Sequence, residues 1–202
     1  MEIKKLGVLG CGQMGSGIVQ VFAQAGYEVM AVDSMKEMLD KGLKGIEKRL
    51  AGRVEKGKLS QAEKDSIMGR IKTSTKLDDL RDCDLIEEAV PEDLELKKQV
   101  FAKLDGICKK ETILGSNTSG LSVTDMAAAT KRPDKLLGMH FHNPEVGYKV
   151  AAGLFKRGVL VAGTLTSAQT IRIEPPLVIT FEQIDTVLNR LEDTLKEISL
   201  TL

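Results

Sequence analysis

Short runs of apolar residues alternate along the chain with longer segments in which apolar residues recur every three or four positions. The short runs have the length of buried strands, and the longer segments have the period of amphipathic helices. Strands are predicted over residues 5–9, 28–32, 71–74, 85–89, 112–116 and 136–141. Helices are predicted from about residue 16 to residue 26, over 35–56, from residue 60 onward, and over 92–108 and 123–129. Strands that alternate with helices form parallel βαβ units, so the pattern predicts an α/β fold with a doubly wound, mostly parallel sheet.

Local signals support two of these helices. The first helix carries Ile18, Phe22 and Ala25 on one face, and Gly26 follows it as a predicted end. Ser60 and Glu63 have the spacing of a capping box, which indicates a helix N-terminus.

The pattern changes after Pro144. It predicts a helix over 145–156 and short strands over 158–162 and 170–174, and the Pro175-Pro176 pair forbids regular pairing beyond them. A second capping box, Thr180 to Gln183, opens a last helix. Its predicted apolar face comprises Ile184, Val187, Leu188, Leu191, Leu195 and Ile198. We therefore predict two domains, residues 1–144 and an αββα-like C-terminal segment, residues 145–202, packed on the sheet.

Composition narrows the range of partners. Lys+Arg and Asp+Glu both number 29, so the net charge of zero gives no reason to expect nucleic acid or an anionic membrane surface. No apolar run approaches the length of a membrane span, and the N-terminus lacks the apolar stretch of a signal peptide. The three cysteines lack metal-ligand spacing, so we expect reduced thiols, no metal and a cytoplasmic location.

A glycine-rich turn follows the first predicted strand. Gly10-Cys11-Gly12-Gln13-Met14-Gly15 has the form G-x-G-x-x-G and leads into a helix, whose N-terminal amides and positive dipole favour a phosphate. Asp33 ends the second strand, where its carboxylate can accept from ribose hydroxyls and would repel a 2′-phosphate. The arrangement predicts a Rossmann-type fold that binds NAD rather than NADP. The alternative is a simple turn, with Asp33 capping the next helix.

Four motifs carry a resemblance over residues 1–144. They are the glycine turn, Glu88-Ala89-Val90-Pro91-Glu92, Ser116-Asn117-Thr118-Ser119 and Gly138-Met139-His140-Phe141-His142-Asn143-Pro144. In this order they resemble the N-terminal domain of 3-hydroxyacyl-CoA (3-hydroxybutyryl-CoA) dehydrogenases. The resemblance implies an NAD-dependent oxidoreductase of fatty acid metabolism that acts on acyl-CoA.

The resemblance also implies residue roles. His140 corresponds to the catalytic base that removes the proton of the 3-hydroxyl, with Ser119 and Asn143 at the substrate oxygen or nicotinamide. Glu92 and Lys97 correspond to residues that line the nicotinamide side. Lys56 is a candidate for the CoA phosphates.

Each role has a structural alternative. His140 can be a hydrogen-bonded structural histidine at a strand end, Ser119 the start of a turn, and Asn143 an Asx-turn residue before proline. Glu92 and Lys97 can belong to a solvated helix face. Cys11 is interpreted as a small filler, and His142 as a surface residue.

The family motif places a glutamate twelve positions after the catalytic histidine, where it orients the imidazole. That position here is Ala152. The helical domain that follows in the family is not found within these 202 residues. We therefore expect an NAD-binding protein with weak or no turnover, the alternative being an active dehydrogenase.

Residues 145–202 resemble a different family. The segments 158–165 and 170–177 are similar to the C-terminal end of class III aminotransferases of the putrescine and ornithine branch. In that family an arginine matching Arg172 receives a substrate carboxylate, and the alternative here is an exposed strand arginine. The lysine and phosphate loops of that family are missing, so transamination is not expected. The interpretation is a chimera joined near Pro144 and Glu145, natural or engineered.

Overall fold

The computed structural model describes residues 3–141, 157, 162–164, 167–172 and 180–199. The chain divides into two compact units, Met1–Phe141 and His142–Leu202. Within the described ranges, no helix combines the length and the apolar character needed to cross a membrane.

The first unit alternates strands and helices. Its strands are β1 (Lys5–Leu9), β2 (Glu28–Val32), β3 (Ile71–Ser74), β4 (Leu85–Glu88), β5 (Ile113–Ser116) and β6 (Leu136–Gly138). Its helices are α1 (Gln13–Gln24), α2 (Lys36–Glu55), α3 (Gln61–Gly69), α4 (Leu94–Ile107) and α5 (Val123–Ala128). Two short 3₁₀ helices, Leu77–Leu80 and Pro133–Lys135, were not predicted. Such short turns carry too few residues to show a period in the sequence.

The six strands of this unit form one sheet in the order β3-β2-β1-β4-β5-β6. Every neighbouring pair is parallel. The strand order reverses between β1 and β4, which is the point where doubly wound sheets bind ligands at the carboxyl ends of their strands. The predicted Rossmann-type α/β fold is confirmed.

Alternate side chains of each strand enter two separate cores. Val8 of β1 lies in a cluster with Ile18 and Val19 of α1, whereas Leu9 lies in the other cluster. That second cluster includes Phe101 of α4. Because both faces of the sheet are covered at its centre, β1 and β4 are buried on both sides, whereas the edge strand β3 leaves Lys72 and Thr73 exposed.

The predicted start of the first helix and the predicted end of the last strand were wrong. Helix α1 begins at Gln13, inside the glycine motif, because the extended backbone of Gly12 already serves as its N-cap. Ala25 is exposed rather than part of the buried face. Strand β6 ends at Gly138 because the Phe141 amide donates to the Asn117 side-chain oxygen (2.6 Å) instead of extending the ladder.

The other limits of the first unit agree with prediction to within two residues. The capping box of α3 is present, since Ser60 accepts from the Glu63 amide and Glu63 from the Ser60 amide.

The second unit contains strands β7 (Ala162–Thr164) and β8 (Ser167–Arg172) and helix α6 (Phe181–Ser199). The strands are antiparallel, with an irregularity between Gly163 and Thr164. Strand β7 ends at Thr164, two residues beyond its predicted end, and β8 begins at Ser167, three residues before its predicted start. The rest of the two predicted strands, residues 158–161 and 173–174, lies outside the described residues.

The capping box of α6 is confirmed. The Thr180 amide donates to Gln183 Oε1 (2.9 Å) and the Gln183 amide to Thr180 Oγ1 (3.2 Å). On the predicted apolar face, Leu188 and Leu195 are about half exposed. The helix predicted over 145–156 lies outside the described residues.

Candidate functional site

The glycine turn between β1 and α1 depends on two close approaches. Gly10 has a φ of +93°, and a Cβ there would lie 2.6 Å from the carbonyl oxygen of Ala89 at the end of β4. A Cβ at Gly15 would overlap the carbonyl oxygen of Gly10. These two glycines therefore let α1 approach the sheet.

Gly12 differs from Gly10 and Gly15, because no close contact within the described residues requires glycine there. Among the described residues, a Cβ there would meet only the Met38 methyl carbon, at 3.9 Å, so packing in this part of the chain does not require glycine at this position. Among the residues that the structure describes, no side chain caps the N-terminus of α1. The backbone of Gly12 is thus accessible at a helix N-terminus, an arrangement that fits the close approach of a pyrophosphate.

Asp33, at the end of β2, lies against the same turn. Its Oδ2 accepts from the Cys11 amide (2.8 Å) and its Oδ1 from the Met35 amide (3.0 Å). Each carboxylate oxygen retains further acceptor capacity for a hydroxyl donor. The acid is therefore held one strand away from the turn, where a dinucleotide presents its ribose hydroxyls.

Cys11 contributes to this turn through its backbone. Its side chain is buried, and burial, with the nearby Asp33 carboxylate, raises the pKa of the thiol to about 11. A Cβ on Gly42 of α2 would lie 2.7 Å from its sulfur. These facts support the interpretation of Cys11 as a filler, since a neutral buried thiol is a poor nucleophile.

A second group of side chains lies beyond the carboxyl ends of β5 and β6. Ser119 Oγ and His140 Nε2 are 3.0 Å apart, and both residues are exposed. A histidine nitrogen at hydrogen-bond distance from a hydroxyl at an open strand end can exchange a proton with a bound substrate.

Glu92 holds the backbone on which Ser119 stands. Its Oε1 accepts from the Thr118 hydroxyl (2.6 Å) and the Ser119 amide (2.9 Å), and its Oε2 lies 3.2 Å from Lys97 Nζ. Partial burial acts to raise the pKa of Glu92, but the hydrogen bonds from Thr118, Ser119 and Lys97 outweigh it and lower the pKa to about 2. Glu92 therefore stays ionised.

Lys97 is not on a solvated face of α4. Its side chain is 1% exposed, and its Nζ lies 2.6 Å from Oε1 of Glu88, which is 0% exposed. Glu88 Oε2 in turn accepts from the Ser116 hydroxyl (2.7 Å) at the end of β5. The solvated-face alternative is thus wrong for Lys97, because this ion pair draws the ammonium group into the protein.

Two buried acids were missed as site residues. Glu88 was part of a quoted motif but received no role, and Glu87 received none either. Glu87 is fully buried, and neither of its oxygens has a hydrogen-bond partner among the described residues. Burial, with the neighbouring Glu88, raises the pKa of Glu87 to about 9. Two consecutive acids inside a predicted buried strand were the signal that could have found them.

One other predicted residue that the structure describes, Lys56, has no hydrogen bond or ion pair with this group. Lys56 is exposed and directly follows the C-terminus of α2. Asn143 and Ala152 lie outside the described residues, and so does His142.

Comparisons with known proteins agree with one another. Residues 5–172 match the family described as 3-hydroxyacyl-CoA dehydrogenase, NAD binding domain. The chain is 45% identical over 166 residues to a 3-hydroxybutyryl-CoA dehydrogenase of Clostridioides difficile, an alignment covering 82% of this chain and 57% of that protein. It is 42% identical over 170 residues to a probable 3-hydroxybutyryl-CoA dehydrogenase of Bacillus subtilis, covering 84% of this chain and 57% of that protein.

A solved structure shows the same likeness. The (S)-3-hydroxybutyryl-CoA dehydrogenase of Ralstonia eutropha aligns with a TM-score of 0.69 and 40% identity, covering 71% of this chain and 50% of that chain. This chain spans about half the length of the curated relatives it matches.

Proposed function

This chain belongs to the 3-hydroxyacyl-CoA dehydrogenase NAD-binding domain family, whose cofactor is NAD, and we propose that it binds NAD(H) with weak or no turnover of 3-hydroxyacyl-CoA. One observation carries the binding proposal. Among the described residues, a Cβ on Gly12 would meet only the Met38 methyl carbon and no side chain caps the N-terminus of α1, while Asp33 is fixed beside the same turn. A pyrophosphate binds at an open helix N-terminus after a glycine turn, and the ribose binds at an acid that ends the neighbouring strand.

The chemistry proposed for the chain's own residues is proton transfer at His140. When bound, NAD supplies a hydride acceptor. The Nε2 atom of His140 takes the proton of the 3-hydroxyl, and Ser119, 3.0 Å from that nitrogen, hydrogen-bonds the ring or the substrate oxygen. Asn143 is proposed to assist at the same oxygen, and Lys56 to contact the CoA phosphates.

The low turnover is proposed from a single position. In the family pattern a glutamate orients the catalytic imidazole, and the corresponding residue here is Ala152. General-base catalysis contributes roughly 10²–10⁴-fold to a rate, and a poorly oriented base forfeits part of it. The second candidate, an efficient dehydrogenase, is favoured by the Ser119–His140 distance.

Binding is tested first, by titrating the chain with NADH and following cofactor fluorescence. We expect Gly12→Val to weaken binding at least tenfold, because its side chain occupies the pyrophosphate position. Asp33→Ala is expected to weaken it by a similar factor. Gly17→Ala is the matched control in the same helix, since a Cβ there meets nothing within 4 Å. Equal affinities for all four proteins would refute the proposal.

Turnover is tested separately, by the loss of NADH absorbance with acetoacetyl-CoA. We expect a low rate that His140→Ala abolishes and Ala152→Glu raises. A fast rate in the unmodified chain, abolished by His140→Ala, would instead establish the efficient dehydrogenase.

The chimera proposal depends on the sequence motifs of residues 145–202 alone. The family match reaches residue 172, which weighs against a junction as early as Pro144. The division into residues 1–144 and 145–202, with Arg172 as a carboxylate contact in the second part, is tested by limited proteolysis. A stable fragment that ends near residue 144 and binds NADH like the full chain would support separate domains. Digestion of both parts at the same rate, with no stable fragment, would contradict them.

A further inference from the structure

We propose that Glu88 and Lys97 are positioning residues for the Ser119–His140 pair, acting through Glu92. This inference deepens the proposed function and rests on it for its catalytic consequence. The coupling itself can be measured without NAD or substrate.

The first step is the position of Lys97 Nζ. It lies 2.6 Å from Glu88 Oε1 and 3.2 Å from Glu92 Oε2, on a side chain that is 1% exposed. Its remaining contact is the Val90 carbonyl oxygen at 3.4 Å. An ammonium group offers three donors, and these three acceptors use them. The protein itself therefore holds the Lys97 ammonium group in a fixed position.

The second step is that the two carboxylate oxygens of Glu92 have different partners. One carboxylate oxygen is held by Lys97, and the other receives the Thr118 hydroxyl and the Ser119 amide. A carboxylate is rigid and planar, so fixing one oxygen fixes the other. The buried Lys97 ammonium group thus sets the position of Ser119 through Glu92.

The third step is the anchor of Lys97. Glu88 accepts from Lys97, from the Val90 amide (2.8 Å) and from the Ser116 hydroxyl (2.7 Å). These bonds tie the ammonium group to the carboxyl ends of β4 and β5. Apolar residues can stabilise such a position as well as a buried ion pair does, so stability alone does not explain a pair here. The ion pair with Glu88 is explained if its role is to direct the Lys97 ammonium group toward Glu92.

A thermodynamic cycle on the full chain tests this coupling. The pKa of the His140 imidazole is measured by proton NMR titration. The chain has only two histidines, so His142→Gln assigns the signals. In the unmodified chain, Ser119→Ala removes the hydrogen bond and is expected to move the pKa of His140 by roughly 0.4 to 1.

The same substitution is then made in the Glu88→Gln/Lys97→Met background. This background removes one charge of each sign, so the net charge around His140 stays the same. If Glu88 and Lys97 position Ser119, the effect of Ser119→Ala on the pKa of His140 falls to less than a third of its original size. A purely structural role lowers stability and leaves the effect unchanged in the folded protein.

A matched control removes a surface ion pair from the same helix. Lys98 and Glu95 lie 2.9 Å apart on α4, with side chains 34% and 71% exposed. Lys98→Met/Glu95→Gln is expected to leave the Ser119→Ala effect intact. If the buried double variant does not fold, Glu92→Ala replaces it, because that side chain is 45% exposed and cutting the link there has the same expected result.

The outcomes separate this inference from the proposed function. No effect of Ser119→Ala in the unmodified chain, or an equal effect in both backgrounds, would overturn the positioning role. NADH titration of the unmodified chain is read independently: coupling without NADH affinity would refute the proposed function alone.

Discussion

At the scale of single residues, two neighbouring buried acids of β4 have opposite surroundings on the two faces of the sheet. Glu87 and Glu88 are neighbours on β4 and point to opposite sides of the sheet. Glu88 meets a lysine and two donors, whereas Glu87 meets no hydrogen-bond partner among the described residues. Its carboxyl lies where a Cβ of Gly115 would be, so glycine at that position makes room for it. An unpartnered buried carboxyl is stable only when protonated.

This leads to a prediction for the pH dependence of stability. The pKa of Glu87 is about 9 in the folded chain against an ordinary value of 4.5. The folded state therefore holds a proton that the unfolded state loses above about pH 4.5. The stabilisation is complete below that pH and is lost progressively up to about pH 9.

Glu87→Gln tests this prediction, because glutamine has nearly the same shape and does not titrate. Urea unfolding between pH 5 and pH 9 is expected to show a fall in the free energy of unfolding that is steeper for the unmodified chain. Parallel curves for the two proteins would contradict a raised pKa at Glu87.

At the scale of elements, helix α2 packs against the glycine turn that joins β1 and α1. A Cβ on Gly42 would lie 2.7 Å from the Cys11 sulfur and 2.9 Å from the Cys11 carbonyl oxygen. The second of these atoms belongs to the backbone of the turn, which cannot move without changing the nucleotide site. We therefore expect the packing of α2 at Gly42 to affect cofactor binding.

We expect Gly42→Ala to destabilise the fold by about 1–3 kcal/mol, as overpacking does, and to weaken NADH binding. Gly52→Ala in the same helix is the matched control. A Cβ there meets nothing within 4 Å, so alanine is expected to stabilise the helix by up to about 1 kcal/mol and leave NADH affinity unchanged. Thermal unfolding and NADH titration measure both effects. Similar results for the two variants would show that the turn does not depend on α2.

At the scale of the whole molecule, ionised acids connect elements that are distant in sequence. Asp84 accepts from the Lys4 and Lys5 amides, and these bonds lower its pKa. At Asp105, burial raises the pKa, but bonds from Lys131 and Arg132 outweigh it and lower the value overall. With Glu92, these acids link β1, β4, α4 and the loops that follow β5 and α5.

An acid-induced loss of stability follows. Because these pKa values are lowered in the folded state, their stabilisation is present above the ordinary values near 4 and is lost as the pH falls through the folded values, which is about 2 for Glu92. We expect the urea midpoint to drop steadily from pH 5 to pH 2. Asp105→Asn should be less stable at pH 6 and show a shallower drop. An unchanged midpoint at pH 2 would refute this ionic contribution.

Much of this molecule was predictable from the sequence. Apolar period fixes whether a segment buries one face or two, so the six strands of the first unit, their flanking helices and the glycine turn could be recognised locally. Asp33, Ser119 and His140 were found because each directly follows a predicted strand or belongs to a motif. The start of α1 was not predicted correctly because the backbone of Gly12 already serves as its N-cap. The end of β6 was not predicted correctly because the Phe141 amide bonds to Asn117, which is distant in the chain.

The order of hydrophobic and polar residues alone predicted the class of fold, and the spacing of the glycines predicted the turn after β1, because both signals lie within a few positions of the chain. Only the tertiary structure decided that Lys97 is buried against Glu88, that Glu92 holds Ser119, and that Glu87 has no partner among the described residues. The physical reason is that the charge state and role of a side chain depend on groups across the sheet. Those distances depend on the order of the strands in the sheet, which local patterns in the sequence do not show.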